Sequence, residues 1–141
     1  MDKEELKDLI GLTRRVKNEE ARLEELKDKV TSIAIDYGEK VQISPTNMSM
    51  ETVAEMIDLK ALIEADLLTL YQKRKEAYIL FSSLKGIERE VMELRYVYGF
   101  TWERIAVELE LSYRHVHRVH GNALYRLSKT DSMSEKMDHN M

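Results

Sequence analysis

The chain has 141 residues with 43% hydrophobic and 34% charged side chains, no cysteine and a formal net charge of -4. Disulfides, iron-sulfur clusters and thiolate zinc sites are thereby excluded, which fits a reducing compartment. No stretch approaches the length of a membrane span, and the charged start MDKEELKDLI lacks the apolar core of a signal peptide; a cytoplasmic location is expected.

The one Pro and five Gly leave few places to break a helix, and the commonest residues are strong helix formers. An all-α fold is expected. Residues 2–35 read as one helix. Alternate steps of three and four from Leu9 give Leu12, Val16, Glu19, Leu23, Leu26, Val30 and Ile33, all apolar but Glu19. This is a coiled-coil seam with a single flaw, about 50 Å long at 1.5 Å per residue. The run Asp36–Asn47 breaks the pattern at Gly38 and Pro45. A second long helix is expected from Ser49, a good N-cap. Its apolar residues (Val53, Met56, Ile57, Leu59, Ile63, Leu67, Leu70, Tyr71, Tyr78, Phe81) make a stripe wider than a two-stranded seam needs. The second helix therefore folds back on the first as a long antiparallel hairpin and also meets another surface. A homodimer through the long helices is the favoured expectation, against a self-contained hairpin packed on its own C-terminal domain. Domain limits of 1–84 for the hairpin, 85–129 for a DNA-binding domain and 130–141 for a polar, disordered tail follow, with Gly86 as the hinge.

Three shorter helices follow from Ile87. The first runs to about Val97 and exits through Tyr98-Gly99-Phe100. The second starts at the N-cap Thr101 and runs to about Glu110. The third starts at the N-cap Ser112 and runs to about Leu127. Ile105 and Leu109 lie four apart on an inner face, Ala106 is small where two helices cross, Leu111 plugs the turn, and Val116 and Val119 face inward. That is the pattern of a helix-turn-helix. The position before Leu111, where the backbone tends to need positive φ, holds Glu110 rather than Gly.

The third helix also carries the chemistry. Residues 1–84 are net acidic, whereas Ser112–Lys129 contains Arg114, Arg118, Arg126 and Lys129 and no acid. Tyr113, Arg114, His117 and Arg118 fall on or near the outer face of its N-terminal end, with His115 alongside; Asn122 and Arg126 stand further on, in reach of a duplex backbone. A helix in the major groove reads bases with its N-terminal residues, Arg bonding guanine O6 and N7. His117 and His120, three apart, invite a metal reading, but His115 points elsewhere and no carboxylate or cysteine completes a site; no metal and no cofactor are expected. Trp102 reads as core packing, and Tyr71, Tyr78, Tyr96 and Tyr98 as core or interface. Nothing resembles a nucleophile-and-base pair or a phosphate loop, so no enzyme is expected.

The run Leu94–Leu127, LRYVYGFTWERIAVELELSYRHVHRVHGNALYRL, resembles region 4 of the sigma-70 family in its Leu-Arg-Tyr before Gly, its Ile-Ala, its Ser cap and its Ala-Leu with a closing Leu. Nearly the whole chain also resembles small phage- and prophage-encoded proteins with a coiled-coil N-terminal part and a region 4-like C-terminal part. Thr-Trp-Glu-Arg-Ile-Ala and Tyr-Arg-His-Val-His-Arg-Val-His-Gly carry that likeness. The resemblance implies double-stranded DNA as partner, contacted at Tyr113, Arg114, His117 and Arg118, with regulation of phage transcription; no counterpart of the promoter-melting region is present. The alternatives are a phage small terminase-like packaging protein, and an RNA polymerase-binding protein that does not itself read DNA.

Overall fold

The structure is a computed structural model that describes residues 1–37 and 49–139, with side chains at 1–30 and 49–130. Among the described residues every regular element is a helix: α1 (Lys3–Tyr37), α2 (Met50–Phe81), α3 (Gly86–Met92), α4 (Trp102–Leu109) and α5 (Tyr113–His139), with one wide helical turn (Glu93–Val97) closing α3. The expected turn at Gly38 and Pro45 lies outside the described residues; Asp36 and Tyr37 end α1.

Helix starts are set by side chains that satisfy the first free amides. Asp2 and Glu5 form a capping box, the Glu5 amide donating to Asp2 at 2.9 Å and the Asp2 amide to Glu5 at 3.3 Å. Ser49 caps α2, its Oγ accepting from the Thr52 amide at 3.1 Å. Thr101 and Ser112 cap α4 and α5 in the same way, accepting from the amides of Arg104 and His115 at 3.2 and 3.1 Å. All three of the expected caps are in place.

The chain divides into two compact units. One is Arg14–Leu70; the other joins Met1–Thr13 to everything from Tyr71 onward. The sequence reading divided the chain at residue 84 instead. The packing boundary falls inside both long helices, because the first turns of α1 lie with the C-terminal helices.

In the unit Arg14–Leu70, Arg15 pairs with Asp66 at 3.0 Å and Arg22 with Glu55 at 2.9 Å. Moving forward along α1 moves backward along α2, so the helices are antiparallel. Val16 and Leu26 of the expected seam are buried, with Ile63 and Leu70 opposite. Glu19, the seam's flaw, meets another acid. It is nearly buried, and burial beside the Asp66 carboxylate raises its pKa. Arg15 reaches both acids, at 3.8 Å to Glu19 and 3.0 Å to Asp66, but one carboxylate oxygen of each is buried without a partner. The wide apolar stripe of α2 resolves into two faces. Ile63 and Leu70 face inward, whereas Val53, Ile57 and Tyr71 are solvent-exposed, as are Met50 and Leu68 outside the expected stripe.

In the second unit Leu6 and Leu9 of α1 and Ala77, Phe81 and Leu84 at the end of α2 are buried, together with Val91, Met92, Tyr96 and Val97. Buried Thr13 donates its hydroxyl to the Leu9 carbonyl at 3.0 Å, and its methyl lies 3.2 Å from where a Cβ would stand on Gly99. The wide turn after α3 is held by the Tyr98 amide on the Glu93 carbonyl (3.1 Å) and the Phe100 amide on the Leu94 carbonyl (3.0 Å), and Gly99 takes φ +72° to make that exit. Tyr98 and Tyr71, read as core or interface, are solvent-exposed; Tyr96 is the one fully buried. The tail read as disordered from residue 130 is helical through His139. Ser132 to His139 contains neither Pro nor Gly, so nothing terminates a helix already propagating from Ser112.

Candidate nucleic-acid interface

The helix-turn-helix is held by a small core in which Val91, Ile105, Val116 and Val119 are buried, ringed by Ile87, Leu94, Phe100, Trp102, Ala106, Leu109 and Leu111. Ile105, Ala106, Leu109, Leu111, Val116 and Val119, which the sequence assigns to the inner face, are all in or against this cluster; Ala123 and Leu127, also assigned inward, are buried outside it. The α4–α5 turn is a Schellman motif. The Leu111 amide bonds the Ala106 carbonyl at 2.9 Å and the Glu110 amide bonds that of Val107 at 3.3 Å. Glu110 supplies the left-handed residue, at φ 55°, ψ 43°. It is the one non-glycine residue with positive φ among those described. The turn thus takes the backbone conformation expected of it, and Glu110 bears the steric cost of its own Cβ.

The turn aims the start of α5 outward. Tyr113, Arg114, His115 and Arg118 are exposed there, and the first turn of α5 holds no acid. Neither Arg114 nor Arg118 has an ion-pair partner among the described residues. The positive end of the helix dipole and these unpaired guanidiniums together favour a polyanion at this end.

The other sequence-selected residues differ in circumstance. His117 is half-buried, its ring 4.7 Å from Trp102 and 4.4 Å from Tyr113, and its Nε2 has no hydrogen-bond partner. It braces Tyr113 from behind more than it faces solvent. Asn122 is exposed one turn beyond Arg118. Arg126 is exposed but tied to Glu88 of α3 at 3.0 Å, so a phosphate contact there would have to compete with this carboxylate. Trp102 packs on the core cluster, as its position implied, with His120 against it at 4.6 Å and the Arg95 guanidinium 4.5 Å from its ring. Among the described residues no group of three or more His, Cys, Asp or Glu is placed to hold a metal.

Three supporting residues, Arg95, Tyr96 and His120, carry no sequence signal of their role. Arg95 also donates to the Phe100 carbonyl at 2.9 Å, pinning the exit of the wide turn. Tyr96 and His120 share a 2.6 Å hydrogen bond. Burial, with His117, Lys3 and Arg95 nearby, holds His120 down to about 4. The neutral ring has one bare and one protonated nitrogen, so this bond is made either by Tyr96 donating to a bare Nε2 or by a protonated Nε2 donating to the Tyr96 oxygen.

Comparison with known families places this architecture. Residues 80–129 match the model of sigma-70, region 4. The match takes in the last two residues of α2, then α3, α4 and the part of α5 that carries the exposed arginines. The region 4-like domain is a DNA-binding helix-turn-helix. No curated protein and no solved structure matches the chain. Among the described residues no helix is long and apolar enough to cross a membrane.

Proposed function

We propose that the protein is a sequence-specific, double-stranded DNA-binding transcription regulator of phage or prophage genes, cytoplasmic, working as a homodimer and not as an enzyme. The observation that carries this reading is the N-terminal end of α5. Unpaired Arg114 and Arg118 stand exposed on it beside Tyr113 and His115, free of acid, in a domain that matches sigma-70 region 4. Arg114 and Arg118 read base edges in the major groove, Tyr113 and His115 add contacts to bases or phosphates, and Asn122 approaches the backbone further along. RNA polymerase is a second partner of this domain. The acidity of residues 1–84 keeps the remainder of the molecule off the duplex and confines DNA to one face.

The test is binding of the full chain to fragments of its own genome, with footprinting of the selected site across a salt series. Arg114→Ala and Arg118→Ala are each expected to cost about 1–3 kcal/mol and to relax preference at particular base pairs. Unchanged footprints with both variants would refute the assignment. Rings of eight or more subunits in light scattering would favour DNA packaging, and polymerase capture without any DNA shift would favour a protein-docking role.

A further inference from the structure

The outer face of α2 within Arg14–Leu70 is apolar and has no partner among the described residues. Met50 is 73% exposed, Ile57 63% and Leu68 68%. Between them on the same face stand Ala54, Ala61 and Ala65, also exposed. The steps from Met50 through Ala54, Ile57, Ala61, Ala65 and Leu68 are three or four residues, so these side chains form one line along the helix. Large and small residues are interspersed along it, with Ala61 and Ala65 in succession. Soluble monomers seldom leave such a line uncovered.

The line is complementary to itself. Turned end for end about Ala61, a second α2 sets Ile57 against Ala65, Leu68 against Ala54, and Ala61 against Ala61. In the layers from Ala54 to Leu68 each contact opposes a bulky residue to a methyl or two methyls to each other, which lets two helices approach closely; Met50, at the end of the line, meets Gln72. Charge agrees with the same register. Lys60 and Glu64 border one side of the line, and neither has an ion-pair partner among the described residues. In antiparallel pairing like flanks meet, so Lys60 of each copy comes beside Glu64 of the other. A parallel pairing in register would instead set unlike flanks together and leave Lys60 and Glu64 of the two copies on opposite sides of the contact.

We infer that a second copy of this chain packs antiparallel on the outer face of α2, with the two-fold axis beside Ala61. The contact is isologous, as a closed dimer requires. It rests on the homodimer reading above and specifies the surface that reading leaves open.

The chain has no cysteine, so one introduced thiol reports without background. Sedimentation of the full-length protein gives the oligomeric state, and Ala61→Cys under mild oxidation tests the axis, since a two-fold places identical thiols within disulfide reach. The expected result is a dimer, a disulfide-linked dimer for Ala61→Cys, and none for Glu20→Cys on the exposed face of α1. Ile57→Glu is expected to weaken the dimer at least tenfold, with Leu68→Glu as an independent second variant. Both sites are exposed, so helix content by circular dichroism stays at the wild-type value. Lys60→Glu weakens the dimer, and adding Glu64→Lys restores it. A monomer at all concentrations overturns the homodimer reading and this surface together. A dimer that neither cross-links at Ala61→Cys nor responds to Ile57→Glu overturns the surface alone, as does a ring of many subunits.

Discussion

Replacing Gly99 by Ala separates two costs that the structure places at one position. The first is local: at φ +72° an L side chain crowds its own carbonyl, about 1–2 kcal/mol, offset by about 0.4–1 kcal/mol because Ala has less freedom to lose on folding. The second is tertiary: the new Cβ would lie 3.2 Å from the Thr13 methyl. Thr13 cannot simply turn away. It is buried, and rotating the methyl aside breaks the 3.0 Å bond from its hydroxyl to the Leu9 carbonyl. Overpacking of this kind costs about 1–3 kcal/mol, so Gly99→Ala is expected to lose about 2–3 kcal/mol in all. Thr13→Ser keeps the hydroxyl and deletes the methyl, at about 1 kcal/mol on its own. In that background the contact part vanishes and Gly99→Ala costs about 1–2 kcal/mol less. The assay is urea unfolding at fixed pH, followed by circular dichroism and by fluorescence of Trp102, the single tryptophan. Equal costs in the two backgrounds would show that α1 does not pack on this turn. A neutral Gly99→Ala would refute the backbone conformation itself.

Three further outcomes follow from single groups. Glu110→Gly relieves the left-handed strain at φ 55° but adds chain entropy, for a net gain of about 0.5 kcal/mol in urea unfolding with the DNA footprint unchanged; a loss of stability would contradict the Schellman turn. Glu19→Gln gives the unpartnered Asp66 oxygen an amide donor and ends the acid-acid contact, for a gain of about 1 kcal/mol at pH 7. Because the folded state raises the Glu19 pKa, its carboxylate disfavours folding at neutral pH and relents as pH falls, a dependence the Gln variant is expected to lack. His120 runs the other way. Its folded value of about 4 lies below the ordinary 6.5, so the unfolded chain takes up the proton first and stability is lost as pH falls from 6.5 toward 4. The full gap corresponds to about 3 kcal/mol, and the ring's partial exposure screens this to about 1–2 kcal/mol; His120→Gln is expected to flatten that limb in unfolding curves taken from pH 7 to 4.

What could be read from the sequence was local. Ser49, Thr101 and Ser112 announce helix starts because a cap bonds an amide only a few positions on. Val16 and Leu26 fall on the buried face because a helix repeats every three to four residues. Ile105, Val116 and Val119 were legible as a helix-turn-helix core for the same reason, and the exposed Arg114 and Arg118 follow once the inner face is known. What escaped depends on residues far apart in the chain. No local pattern tells that Arg126 meets Glu88, that His120 meets Tyr96, or that Gly99 receives Thr13. The flaw at Glu19 was visible, but its partner was not, because Asp66 reads as one more acid on a charged helix. The apolar stripe of α2 gave its width but not its division into an inner and an outer face, since both carry Leu and Ile at helical spacing.

The membership of Met1–Thr13 in the same unit as the C-terminal helices sets an order for folding during synthesis. Met1–Thr13 leave the ribosome long before the rest of their unit: Leu6 and Leu9 are buried in a unit that is complete only when Val116, Ala123 and Leu127 have been made. Arg14–Leu70 has all of its own residues much earlier. A nascent chain therefore holds a finished Arg14–Leu70 unit while Leu6 and Leu9 wait, unsheltered, for α5 to be made.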